Sequence, residues 1–96
     1  MGTPLYLAPE IINEDGYSFK ADVWSLGIIM FELMNLEVPF FAVTYGGLLN
    51  KILNGEIPPL DEYYSSDFRN FIRTLIERDI NKRPSIDELL LSDFLS

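Results

Sequence analysis

Phe19-Lys20-Ala21-Asp22-Val23-Trp24-Ser25-Leu26-Gly27-Ile28-Ile29-Met30-Phe31-Glu32-Leu33-Met34-Asn35-Leu36 is the stretch on which the fold turns. Wound at 3.6 residues per turn, Val23, Trp24, Leu26, Ile28, Ile29, Met30, Phe31, Leu33 and Met34 cover nearly every face of one helix, predicted over 19–36. Ser18 is placed to cap it, and Asp22 sits early, near the positive end of the helix dipole. Ser25 and Glu32 interrupt the apolar run from Val23 to Met34, which is shorter than the roughly 20 residues a membrane span needs. A helix that is apolar all round belongs inside a larger body. A chain of 96 residues has little material with which to surround it, so the sequence calls for neighbours it does not contain.

Outward from this helix the pattern stays helical. Pro9 fits a first helical turn and opens a short helix to Asn13, which Asp15-Gly16 breaks. Thr44 is placed to cap a helix from Tyr45 to Leu53, stopped by Gly55. Pro58-Pro59 then keeps the chain extended. Ser65 or Ser66 caps a helix to about Arg78, with Phe68, Phe71, Ile72, Leu75 and Ile76 as its inward stripe and Arg69, Arg73, Glu77 and Arg78 outside. Ser85-Ile86-Asp87-Glu88 matches a capping box and opens a last helix through Leu91. No segment alternates with period two over strand length. The fold class is all-α, in one domain with no repeat or long linker.

Composition excludes much chemistry. With no cysteine and no histidine there is no disulfide framework, thiol nucleophile, imidazole base or zinc site, and no metal site is expected. A net charge of −8 argues against nucleic acid. The charge is uneven: residues 1–67 hold ten acidic side chains against Lys20 and Lys51, whereas 68–96 carry five of each sign. The acidic part could attract basic peptides, although an ordinary solvated surface is the favoured reading. Met1-Gly2-Thr3-Pro4 has neither the basic nor the apolar character of a secretory signal, and Tyr6 stands where a myristoylation pattern wants Ser or Thr. The expectation is a cytoplasmic protein without membrane contact.

Four strings occur in order: Gly2-Thr3-Pro4-Leu5-Tyr6-Leu7-Ala8-Pro9-Glu10, Asp22-Val23-Trp24-Ser25-Leu26-Gly27, Pro39-Phe40, and Lys82-Arg83-Pro84-Ser85. Together they resemble the region from the activation-segment end to the last helices of a eukaryotic protein kinase, and the resemblance covers essentially the whole chain. It implies the helical C-terminal half of the large lobe, with residues 1–96 as a partial kinase domain. Gly2-Thr3-Pro4 favours the Ser/Thr type. Ala42, Leu49, Lys51-Ile52, Pro58-Pro59, Tyr64-Ser65 and Phe68-Arg69 look most like the NIMA-related group.

The resemblance also implies roles. Glu10 would pair with Arg83, whose planar guanidinium can grip a carboxylate twice. Asp22 would accept backbone N–H bonds from the catalytic loop; by itself it is a first-turn aspartate complementing the dipole. Trp24 and Gly27 read as packing residues, one large and one permitting close approach. Thr3 would support the catalytic aspartate and lysine, although in an unknown protein it is a hydroxyl shaping a turn. Gly2, Thr3, Pro4, Leu5 and Leu7 would form the substrate-binding loop, with plain core as the alternative for Leu5.

Kinase catalysis also needs a Gly-rich loop, a strand lysine paired with a helix glutamate, a catalytic aspartate and the aspartate of Asp-Phe-Gly. None of these occurs in the sequence; Asp67-Phe68-Arg69 and Asp93-Phe94-Leu95 lack the glycine. The expectation is therefore a kinase part that is inactive alone. ATP and Mg²⁺ are implied only for the full-length enzyme. The expected partners are protein substrates and the preceding part of the kinase domain. The other class is a non-catalytic interaction module using the helices after Pro39.

Overall fold

The computed structural model describes residues 5–91. Among them are five helices and no strand: α1 (Pro9–Ile12), α2 (Lys20–Asn35), α3 (Tyr45–Asn54), α4 (Ser66–Leu75) and α5 (Ile86–Leu90).

Capping explains most of the boundaries. The Thr44, Ser65 and Ser85 hydroxyls each accept the backbone N–H three residues on, from Gly47, Phe68 and Glu88. At α5 the Glu88 carboxylate returns the bond to the Ser85 N–H, completing the box. The entry to α2 differs from the expectation. Phe19, not Ser18, is its N-cap residue and makes no side-chain cap bond. The chain enters through tight i→i+3 turns, Ala21 to Ser18 and Asp22 to Phe19, leaving Ser18 one residue too early, where its hydroxyl accepts the Lys20 N–H at 3.2 Å. The fourth helix is also shorter than predicted: it stops at Leu75, because residues 76–79 leave helical geometry and Arg78 is drawn across to α3.

The core lies on one side of α2. Val23, Trp24, Gly27, Ile28 and Phe31 are buried, and α4 packs there with Ile72, Leu75 and the following Ile76. Gly27 is the point of closest approach: a Cβ built on it would stand 2.7 Å from Leu75 Cβ and 2.8 Å from Ile76 Cγ2. Leu48 and Ile52 of α3, with Phe40, Leu60 and Leu89, extend the same cluster. At the far end of α2, Asn35 fastens the proline segment from both sides, donating to the Pro59 carbonyl and accepting the Asp61 N–H.

The opposite side of α2 is apolar too, and bare. Phe19, Leu26, Ile29, Leu33 and Leu36, spaced by three, four or seven residues, are 78%, 41%, 44%, 70% and 87% exposed. The Cα trace spans 40 × 34 × 16 Å, so the molecule is a slab with α2 reaching its surface. No helix among the described residues is long and apolar enough to cross a membrane.

Candidate functional site

Glu10 and Arg83 meet inside this slab, 73 positions apart in sequence. The Arg83 Nη1 donates to Glu10 Oε2 at 2.8 Å and Nη2 to Oε1 at 2.9 Å, with the two residues 1% and 7% exposed respectively. The guanidinium does more than pair. Its Nε donates to the Glu77 carbonyl at 2.8 Å and Nη1 also to the Lys20 carbonyl at 3.0 Å. One fork thereby ties the ends of α1, α2 and α4 together. Its plane lies over the Trp24 ring, 5.2 Å from the centroid, and Phe40 stacks on the same indole at 6.1 Å and 2°. Burial pushes the Glu10 carboxyl up. The Arg83 hydrogen bond, a backbone N–H and the guanidinium charge outweigh it and hold Glu10 below its ordinary value.

This clamp positions the segment in front of it. Ala8, Pro9 and Glu10 are buried, Leu5 leans partly onto the core, and Leu7 stays exposed. Tyr6 fastens the segment to the flank of α2: its carbonyl accepts the Ser25 hydroxyl at 2.8 Å, and its phenol donates to Glu32 Oε1 at 2.7 Å. Glu32 in turn edges an open groove of about 480 Å³ with Leu36, Glu37, Val38 and Phe41. Gly2, Thr3 and Pro4 lie outside the described residues.

Asp22 stands apart from the clamp, exposed in the first turn of α2, where the Tyr17 phenol donates to its Oδ2 at 2.8 Å. Trp24 is fully buried, and its Nε1 has no hydrogen-bond partner among the described residues.

Sequence reasoning missed Arg78. Placed outside by its helical position, it is half-buried, donating to the carbonyls of Ile52 (2.7 Å), Lys51 (3.1 Å) and Gly55, with its guanidinium over the Phe40 ring. It thus satisfies carbonyls at the C-terminus of α3, where orphan acceptors and the negative dipole end favour a cation. Charge near a predicted helix end was the available signal, but the partner helix is 23–27 positions away.

The protein kinase domain model matches residues 1–95. The chain belongs to the protein kinase family. It is 43% identical over 97 residues to the probable serine/threonine-protein kinase nek3 of Dictyostelium discoideum, covering 100% of this chain and 9% of that protein. The putative serine/threonine-protein kinase A of Trypanosoma brucei brucei is 41% identical over 99% of the chain, which spans 22% of it. The G2-specific protein kinase nimA of Emericella nidulans is 38% identical over 94% of the chain, 13% of its own length. Within the family this kinase segment is most like the NIMA-related kinases. It spans about a tenth to a fifth of the length of these relatives.

ATP and Mg²⁺, which kinase chemistry uses, do not fit the residues at hand. The sequence holds no Gly-rich loop, and among the described residues no three ligating side chains gather. No phosphoryl-transfer step is therefore assigned to these side chains.

Proposed function

We propose that this chain is the C-terminal part of the large lobe of a Ser/Thr protein kinase of NIMA-related type, acting on cytoplasmic protein substrates. In this reading Gly2, Thr3, Pro4, Leu5 and Leu7 form the substrate-facing wall and Thr3 supports the catalytic aspartate. The Glu10–Arg83 clamp holds that wall on the helices, and Asp22 anchors the catalytic loop. The acid-edged groove at Glu32 and Glu37 suits a basic substrate side chain with an apolar stem. The segment alone transfers no phosphate.

The observation that carries the reading is the bare apolar face of α2 with Asp22 set into it, opposite a fully packed face. An apolar helix face of this length is built to be covered, and in a kinase the preceding helix and the catalytic loop would cover it. Sedimentation and hydrophobic-dye binding of the isolated chain at low micromolar concentration test this. Self-association or dye uptake is expected, with no thermal shift from Mg-ATP. A compact monomer with sharp melting and no dye uptake favours the second reading, a non-catalytic interaction module. That alternative draws on the exposed Phe41 and Val43 just ahead of α3 and Tyr45 at its start.

A further inference from the structure

Asp22 is expected to hold a loop, yet an exposed carboxylate on a first helical turn is free to rotate about two side-chain bonds. The structure removes that freedom from one side. Glu14 and Gly16, at φ 59° and 98°, turn the chain between α1 and α2 so that Tyr17 arrives beside the first turn of α2. The Tyr17 ring packs edge-to-face on Phe19, with centroids 6.3 Å apart at 74°, and its hydroxyl donates to Asp22 Oδ2.

We propose that Tyr17 is a positioning residue: its phenol fixes the Asp22 carboxylate in the orientation that receives the catalytic loop. This rests on the kinase reading of Asp22 given above. A carboxylate accepts at about four lone-pair sites. One phenol on Oδ2 leaves Oδ1, which no donor reaches among the described residues, open to backbone N–H groups. The bond contributes little to holding the helices together, because Tyr17 is 64% exposed and Asp22 is exposed as well. Its consequence is orientation, and it acts at the end of the bare face where the loop would dock. The phenol itself titrates above its ordinary value, chiefly because its proton is shared with Asp22.

The experiment is Tyr17→Phe in a complete kinase domain containing this segment, a change that keeps the ring and deletes one oxygen. The expected result is a fall in kcat of about tenfold, below the roughly 100-fold that a 1 Å misplacement can cost. KM for ATP and peptide and the melting temperature should stay unchanged, with faster deuterium uptake at the catalytic-loop amides. Adding Tyr17→Phe to Asp22→Asn should cost nothing further. Unchanged kcat and uptake in Tyr17→Phe, or additive losses in the double variant, overturns the proposal. A wild-type domain that transfers no phosphate defeats the kinase reading instead. In that case loop deuterium uptake still decides whether Tyr17 acts through Asp22: faster uptake in Tyr17→Phe upholds it, and unchanged uptake overturns it.

Discussion

Arg83→Lys keeps the charge and removes the fork. In the structure the guanidinium makes four hydrogen bonds: two to Glu10 and one each to the carbonyls of Glu77 and Lys20. An ammonium is a point donor on a flexible stem. It can hold one Glu10 oxygen and one carbonyl, but it cannot also reach the place of Nε, which fills the Glu77 carbonyl. At least two bonds to a charged donor are lost, each worth about 1.5–3 kcal/mol. The expected loss is therefore about 3–6 kcal/mol, although the charge pair itself survives. In a complete kinase domain, at about 2–4 °C per kcal/mol, melting should fall by roughly 6–24 °C. Glu10→Gln should be nearly as costly, since its amide N–H₂ would face the guanidinium. The double variant should cost much less than the sum of the two, because the residues share one interaction. Replacing both residues by methionine, a remedy that rescues many buried pairs, should fail here because the Glu77 and Lys20 carbonyls lose their donor. Thermal melts of the four variants decide the matter. Arg83→Lys within about 1 kcal/mol of wild type, or strictly additive singles, would refute the account of the fork as a four-point clamp.

Gly27→Ala gains about 1 kcal/mol of helix propensity but places a Cβ inside contact distance of Leu75 and Ile76, so a net destabilisation of about 1–2 kcal/mol is expected in denaturant melts. Arg78→Ala strips the C-terminal carbonyls of α3 of their donor; about 1–3 kcal/mol is expected, with amide exchange rising first around Lys51–Gly55. Glu10 is held below its ordinary value of 4.5, so the unfolded chain binds its proton more readily than the folded one. Its contribution is fully present above pH 4.5 and disappears as pH falls through the lower folded value. Acid melts should show that loss in wild type and not in Glu10→Gln.

What could be read from the sequence was what is local or stamped by residue type. Thr44, Ser65 and Ser85 announce helix starts because a short hydroxyl three residues before a free N–H suffices, whatever the rest of the chain does. α2 was legible from its density of apolar side chains, but that same density hid which face packs: an almost uniformly apolar helix carries no directional signal. Gly27 marks the packed face in the structure because only a missing Cβ lets Leu75 and Ile76 approach. Ser18 misled because a tight entry turn moved the cap one residue onward. Arg78 and Tyr17 were opaque for a common reason. Each is a polar group on a surface-like position whose partner is chosen by tertiary geometry, 23–27 residues away for one and across an irregular turn for the other.

The bare stripe on α2 sets the energy scale for everything else about this chain. Its five apolar side chains average close to two-thirds exposed. At about 1.5–3 kcal/mol for each fully buried side chain, covering them is worth roughly 5–10 kcal/mol. That is the size of a whole domain's net stability, about 5–15 kcal/mol. A slab whose Cα trace is 16 Å thick has no third layer from which to supply that cover. The stripe begins at Phe19, and one turn on it holds the exposed Asp22; the other acidic side chain of α2, Glu32, stands on the flank near Leu36, where the Tyr6 phenol donates to it. A cover made only of apolar groups would bury the Asp22 carboxylate with no counter-charge and only the Tyr17 phenol as donor, which is strongly unfavourable. In the kinase reading proposed above, the cover brings apolar side chains along most of α2 and hydrogen-bond donors at its N-terminal end. A helix followed by a loop rich in free N–H groups meets both conditions, whereas a plain hydrophobic partner meets only the first.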